Sequence, residues 1–232
     1  MARNSSPKFR REPASVRREA LVAATLACLR KYGHEGASVR RISAEAGVSA
    51  GLINHHFPGV ADLIAAAYEH LAIALLHAVA RHAADTSLAP RERLRRFFEA
   101  SFGPELLDPE LFKAWLVFWS MAPHNTQVRA VHRRTWSAYR ATLASLLRQL
   151  RAAQGVPAFR LRPAAMGLAA LLDGLWIEAS LNPDTFRPAD AIALCEHWTD
   201  ALCSGQLAPA PGRSRPRGRG TAPAWRPRTA GQ

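Results

Sequence analysis

Cysteine is scarce in this 232-residue chain: Cys28, Cys195 and Cys203 form an odd, scattered set. A disulfide framework is excluded on that count, and a reducing, cytoplasmic setting is expected. Nor does any Cys/His pair have the spacing of a zinc site. No stretch alternates apolar and polar residues convincingly at period two, so no sheet is expected. An uninterrupted apolar run of about 20 residues, the length that crosses a membrane, is also missing. The first twenty residues are polar and basic without an apolar segment, so no secretory signal and no membrane partner are expected. Catalytic hallmarks are absent too: there is no nucleophile–base set, paired carboxylate, phosphate loop or metal cluster. His70 and His77 lie seven residues apart on one helix face, a spacing far commoner on packed or solvated faces than in a metal site. No enzyme activity, cofactor or metal is expected.

What is abundant is positive charge, and its location matters more than its size. Of the formal net charge of +13, residues 1–18 hold +5, from six basic side chains against Glu12, and residues 204–232 hold +6, all arginine. The 185 residues between therefore hold only +2. A nearly balanced body with two polycationic ends suits a polyanion such as DNA. The arm over residues 1–14 reads as flexible. The tail over 206–232, rich in Pro, Gly and Arg, cannot bury enough apolar surface to fold and reads as disordered.

Between the ends the signals are helical throughout. Leu21, Ala24, Thr25, Cys28, Leu29 and Tyr32 make an amphipathic stripe over 16–32, closed by Gly33. After Phe57 a long helix is expected from Val60 to Ala83. Further helices are expected over 91–103, Pro109–Met121, Thr126–Ala153, Ala164–Leu181 and Ala189–Cys203. Several prolines stand at helix starts, where the missing N–H costs nothing. The fold class expected is all-α, with about nine helices: a small N-terminal domain over 15–60 and a helical body over 61–205.

The stretch Ser38–Phe57, SVRRISAEAGVSAGLINHHF, organises the rest. Ser38 is placed to cap a short helix whose apolar stripe is Val39, Ile42 and Ala46. Gly47 follows, where a left-handed residue is expected. Ser49 is placed to cap a second helix, Ala50–His56. Helix, glycine turn and capped helix make a helix-turn-helix, whose second helix enters the major groove of double-stranded DNA. Ala50 and Gly51 leave its N-terminus bare for close approach. Asn54, His55 and His56 offer donors and acceptors to base edges and phosphates, while Arg40 and Arg41 are placed to reach phosphates.

With these residues in view, the chain resembles the TetR family of bacterial repressors. Gly33, Gly36, Ser38, Ile42, the run Ala46-Gly47-Val48-Ser49, Gly51, His55 and Phe57 carry the resemblance over residues 15–75. The segments FFEASFGPELLDPELFKAWLVFWSMA and ALLDGLWIEASL resemble the C-terminal domain of the BetI-type members. Two positions depart from the family pattern. His55-His56-Phe57 stands where a tyrosine is usual, and Val60 occupies the place of a lysine that touches a phosphate.

The resemblance implies a homodimer that pairs the last two helices of each subunit, reads a palindromic operator and responds to a small effector. Leu168, Leu171, Leu172, Leu175, Ala179 and Leu194 are expected at that interface. Independently, the helix Ala164–Leu181 is apolar on more than one side, which fits either a partner-covered helix or one buried in a monomer. Trp115, Phe118 and Trp119 share one helix face, Trp136 and Tyr139 another, and Trp176 the interface helix. Such stripes serve most often as core; the functional alternative is a pocket. BetI-type members respond to choline-like compounds, and aromatic faces hold quaternary ammonium groups. Asp173 and Glu178 are candidate counter-charges. A sensor of neutral hydrophobic compounds and a ligand-independent architectural DNA binder stand as alternatives.

Overall fold

A computed structural model describes residues 13–155 and 159–207. Residues 1–12 of the expected arm and 208–232 of the expected tail lie outside the described residues. Among those described, the chain forms α-helices α1 (Ala14–Tyr32), α2 (Val39–Glu45), α3 (Ala50–His56), α4 (Val60–His82), α5 (Pro90–Ser101), α6 (Pro109–Met121), α7 (Thr126–Gln154), α8 (Leu161–Leu181) and α9 (Pro188–Cys203), with no strand. A single 3₁₀ turn, Gly33–Gly36, separates α1 from α2. Pro90, Pro109 and Pro188 open their helices as expected. Pro163 instead sits inside the first turn of α8, where its lack of an N–H is equally harmless. Two caps escaped the sequence reading: Asp108 accepts from the Glu110 N–H at 2.9 Å and Asn125 from the Val128 N–H at 2.9 Å.

Three apolar clusters hold the helices together. The first joins Leu21 and Cys28 of α1, Ile42 of α2, Ile53 and Phe57 at α3, and Leu63 and Ala67 of α4. A second runs from Leu29 of α1 through Ile64, Tyr68 and Leu71 of α4 to Phe118 of α6 and Val131 of α7. The third fills the body with Val79, Phe97, Phe98, Leu147, Leu168 and Leu172. Helix α4 contributes to all three clusters, so it is apolar on several sides. Its hydropathy follows from this: 18-residue windows in α4 and α8 average 1.7 and 1.4, long and apolar enough to cross a membrane. Neither is an uninterrupted apolar run, since Asp62, Glu69, His70 and His77 interrupt α4 and Arg162, Asp173 and Glu178 interrupt α8. Glu69 and His70 break the run in α4 without lowering its average much.

The 3₁₀ turn sets how closely α2 is hung beneath α1. A Cβ built on Gly36 would stand 2.2 Å from the carbonyl oxygen of Cys28, a backbone atom that cannot step aside. Gly36→Ala is expected to force these segments apart and destabilise the chain by about 1–3 kcal/mol. Thermal unfolding of the variant checks this, and an unchanged Tm contradicts it.

Candidate functional site

The N-terminal site is built from the turn between α2 and α3. Ser38 caps α2, its hydroxyl accepting from the Arg41 N–H at 3.4 Å. Gly47 takes φ +65°, the left-handed conformation expected of it, and the Val48 N–H then closes onto the Ser43 carbonyl at 3.0 Å. Ser49 occupies the cap position of α3 in extended conformation, but its side chain makes no capping bond. Here the sequence reading is corrected: the hydroxyl stays exposed, free of the helix it was expected to satisfy. Ile53 and Phe57 anchor α3 in the first cluster, which turns Ala50, Gly51, Asn54 and His55 outward, with His56 half-buried. Arg40 is exposed. Arg41 is exposed too, but it already has partners: its guanidinium lies 4.5 Å over the Tyr32 ring and 3.5 Å from a Glu35 oxygen.

Arg18 was counted only as part of a basic stretch. In the structure its guanidinium donates to the carbonyl of His56 and stacks 4.1 Å over the Phe57 ring. A cation thus meets the unsatisfied carbonyl end of α3, where the helix dipole favours positive charge. Only the spatial return of α3 beneath α1 reveals this role.

The second site is a cavity of about 120 Å³ in the body. Trp115 and Trp119 of α6, Trp136 and Tyr139 of α7, and Trp176 of α8 line it. Trp115 and Trp119 stand 6.4 and 6.0 Å from Trp176, each at 80°. The Trp176 indole is fixed by donating to the Leu106 carbonyl at 2.8 Å. Phe118, expected among these rings, is fully buried behind the wall, stacked 4.5 Å from Tyr68. Being one step from Trp115's face on α6, it points into the second cluster instead. Tyr68 of α4 takes the place in the wall, and sequence reasoning passed over it as one aromatic in an aliphatic helix. Its hydroxyl shares a 2.7 Å hydrogen bond with Nδ1 of His132, whose ring stacks on Trp136. Burial pushes the Tyr68 phenol well above its usual pKa, and burial, then the charge of Arg140, lowers that of His132.

Aliphatic side chains complete the wall, from Ala72, Leu75, Leu76 and Val79 of α4 to Leu172 of α8. Asp173 is the charged residue in it. Desolvation pushes its carboxyl up to about 7. Glu178, the other candidate counter-charge, is exposed and accepts from the Asn182 side chain at 2.8 Å.

The last two helices divide differently from the sequence reading. Leu168, Leu172 and Ala179 are 0%, 3% and 6% exposed within one protomer and belong to its own core, not to a surface a partner can meet. Leu171 and Leu175 are half-buried against that core. Leu194 is exposed, as an interface residue would be in an isolated subunit. The outward face of α8 is another stripe, Met166, Ala170, Gly174, Ile177 and Leu181, at helical spacing. A helix that is apolar nearly all round does not reveal in its sequence which side faces inward.

A helix-turn-helix built onto an all-helical body with a partly open aromatic cavity is the architecture of a transcriptional regulator, and comparison with known proteins agrees. The profile of bacterial regulatory proteins of the tetR family matches residues 21–67, and that of the BetI-type transcriptional repressor C-terminal domain matches 90–204. The HTH-type transcriptional regulator BetI of Burkholderia thailandensis is 34% identical over 188 residues, 81% of this chain and 93% of the relative. A solved transcriptional regulator from Pseudomonas aeruginosa PAO1 superimposes with a TM-score of 0.78 at 44% identity, over 87% of this chain and 97% of that one. A regulator from Saccharomonospora viridis, solved in complex with choline, shares the fold with a TM-score of 0.65 at 24% identity, over 81% and 96%. The chain belongs to the TetR family, with a BetI-type C-terminal domain. It is a DNA-binding transcriptional regulator and not an enzyme.

Proposed function

We propose that the chain is a ligand-responsive repressor that binds a palindromic operator as a homodimer and leaves it when a small cation fills the aromatic cavity. One observation carries this reading: α4 serves both sites. Leu63 and Ala67 lie in the cluster that seats α3, while Tyr68, Ala72, Leu75, Leu76 and Val79 belong to the cavity wall. A ligand that binds one arrangement of that wall better than another biases α4, and with it the pose of α3. In a two-fold dimer the separation of the two reading helices decides whether both reach their half-sites. Aromatic faces around one carboxylate favour a cation, and the S. viridis neighbour with choline supports that class. The aliphatic α4 side of the wall favours the alternative, a neutral hydrophobic effector.

Titrating choline into the protein while following Trp fluorescence and operator affinity separates these readings. Quenching together with loss of DNA supports the cation. A response to neutral hydrophobic compounds alone supports the alternative.

Base reading is assigned to α3. Asn54→Ala is expected to cost about 1–3 kcal/mol on operator DNA and little on random DNA. Arg40 is exposed beside the turn. Arg40→Ala is expected to weaken both DNAs and to reduce the salt slope by about one. Binding to both DNAs at several salt concentrations tests this; equal losses on both for Asn54→Ala would leave Asn54 a positioning residue.

A further inference from the structure

Resting on the cation reading above, we propose that the effector is a protonated amine with an apolar body, which donates an N–H to Asp173, and that a quaternary ammonium is a second-best fit. The cavity's polar groups are unevenly satisfied. Ser101 Oγ donates to the Phe97 carbonyl at 2.8 Å and Thr135 Oγ1 to that of Val131 at 3.0 Å. Trp176 Nε1 and the Tyr68 hydroxyl are likewise engaged, with Leu106 and His132. Asp173 and the Tyr139 hydroxyl, by contrast, have neither a hydrogen bond nor an ion pair with any described residue. The Asp173 oxygens are not sealed from solvent, so water meets them in the free protein. An N–H donor on a molecule entering the cavity would take the place of that water.

Geometry separates two kinds of cation. An ammonium N–H brings nitrogen to about 2.8 Å from a carboxylate oxygen. Methyl groups on a quaternary nitrogen hold it at about 4.5 Å, the sum of a C···O contact and one C–N bond seen at an angle. The Coulomb attraction, falling as 1/r, is then about 1.6 times stronger for the N–H donor, which adds a hydrogen bond as well. That advantage works against the stronger hydration of the N–H ion. It wins here because the acceptor gives up only water, and no protein partner, to take the N–H. The wall contains no Lys, Arg or His, so a ligand carrying its own carboxylate would place a second negative charge beside Asp173 uncompensated. Leu75, Leu76 and Val79 offer the other end of the ligand an aliphatic surface rather than hydrogen bonds.

The test is a matched pair, N,N-dimethylbutylamine and butyltrimethylammonium, which differ by one N–H against one N–CH₃. Their binding to the full chain is followed by Trp fluorescence at a pH of about 8, where the carboxylate is ionised and the amine protonated. The amine is expected to bind at least about tenfold tighter. Asp173→Asn, whose fold is checked by thermal unfolding, is expected to bring the pair within about threefold of each other. Equal binding by wild type, or tighter binding of the quaternary ion, overturns the N–H assignment and leaves the cation reading standing. Equal loss of both ligands in Asp173→Asn also overturns it, making Asp173 a point charge only. Failure of both ions to bind wild type overturns the cation reading and this inference with it.

Discussion

Replacing Gly174 with arginine is expected to turn the homodimer into a folded monomer and to abolish specific operator binding. Gly174 lies on the outward stripe of α8 between Ala170 and Ile177, and a Cβ built there meets no atom within 4 Å. Within one protomer the new side chain points into solvent. The protomer should therefore keep its fold and gain about 1 kcal/mol from replacing a mid-helix glycine. Across a two-fold interface the same arginine would meet its symmetry mate, placing two like charges in a closely packed, apolar contact. Met166 and Leu181, 56% and 60% exposed at either end of the stripe, mark its extent. In the proposed mode of binding, operator affinity depends on presenting two reading helices at once, so a monomer should retain only the salt-sensitive binding of one half-site. Sedimentation and operator binding of the variant measure both effects. A dimer of native mass in Gly174→Arg would move the interface off this face. Leu172→Arg, attractive from the sequence alone, would be ambiguous. Leu172 is 3% exposed and lines the cavity, so its replacement damages folding, ligand binding and assembly together.

What the sequence made legible follows from how local each feature is. Helix ends were readable because prolines and glycines impose backbone constraints within a turn: Pro109 opens α6 and Gly47 adopts a positive φ where each was expected. The outward residues of α3 were readable because Ile53 and Phe57 are bulky apolar anchors four apart, which leaves the polar Asn54 and His55 outside. Convergence of five aromatic rings on one cavity was suggested by their concentration, yet the choice of rings needed helix rotations. Phe118 and Tyr68 exchanged places for that reason. Arg18 on His56 joins residues 38 apart and leaves no local trace. The two faces of α8 are equally apolar in sequence, so core and outer surface could be told apart only in the assembled protomer.

Binding of a permanent cation is expected to collapse as pH falls through 7. Burial raises the Asp173 carboxyl to about 7 in the free protein. The cation is held by the ionised form, so affinity should be flat above that pH. Below it, affinity should fall about tenfold per pH unit as the carboxyl takes up a proton. A quaternary ligand such as choline keeps its charge throughout, which confines the titration to the protein. The other groups nearby act differently. Tyr68 and Tyr139 are both raised by burial and stay neutral across the range. His132, behind Tyr68, is lowered by burial and gains its charge only below its ordinary value. Asp173→Asn isolates the effect: its affinity should be weak and level near pH 7, and any fall that persists further down belongs to His132. Stability carries the same signature with the opposite benefit. A carboxyl raised above its unfolded value of 3.8 stabilises the fold at low pH, and that contribution is lost as pH rises toward 7. Asp173→Asn should therefore melt higher than wild type in neutral buffer without ligand, while losing the response to cations. A variant that melts lower and still releases DNA with choline would mean that Asp173 is a structural residue and that the aromatic rings alone hold the ligand.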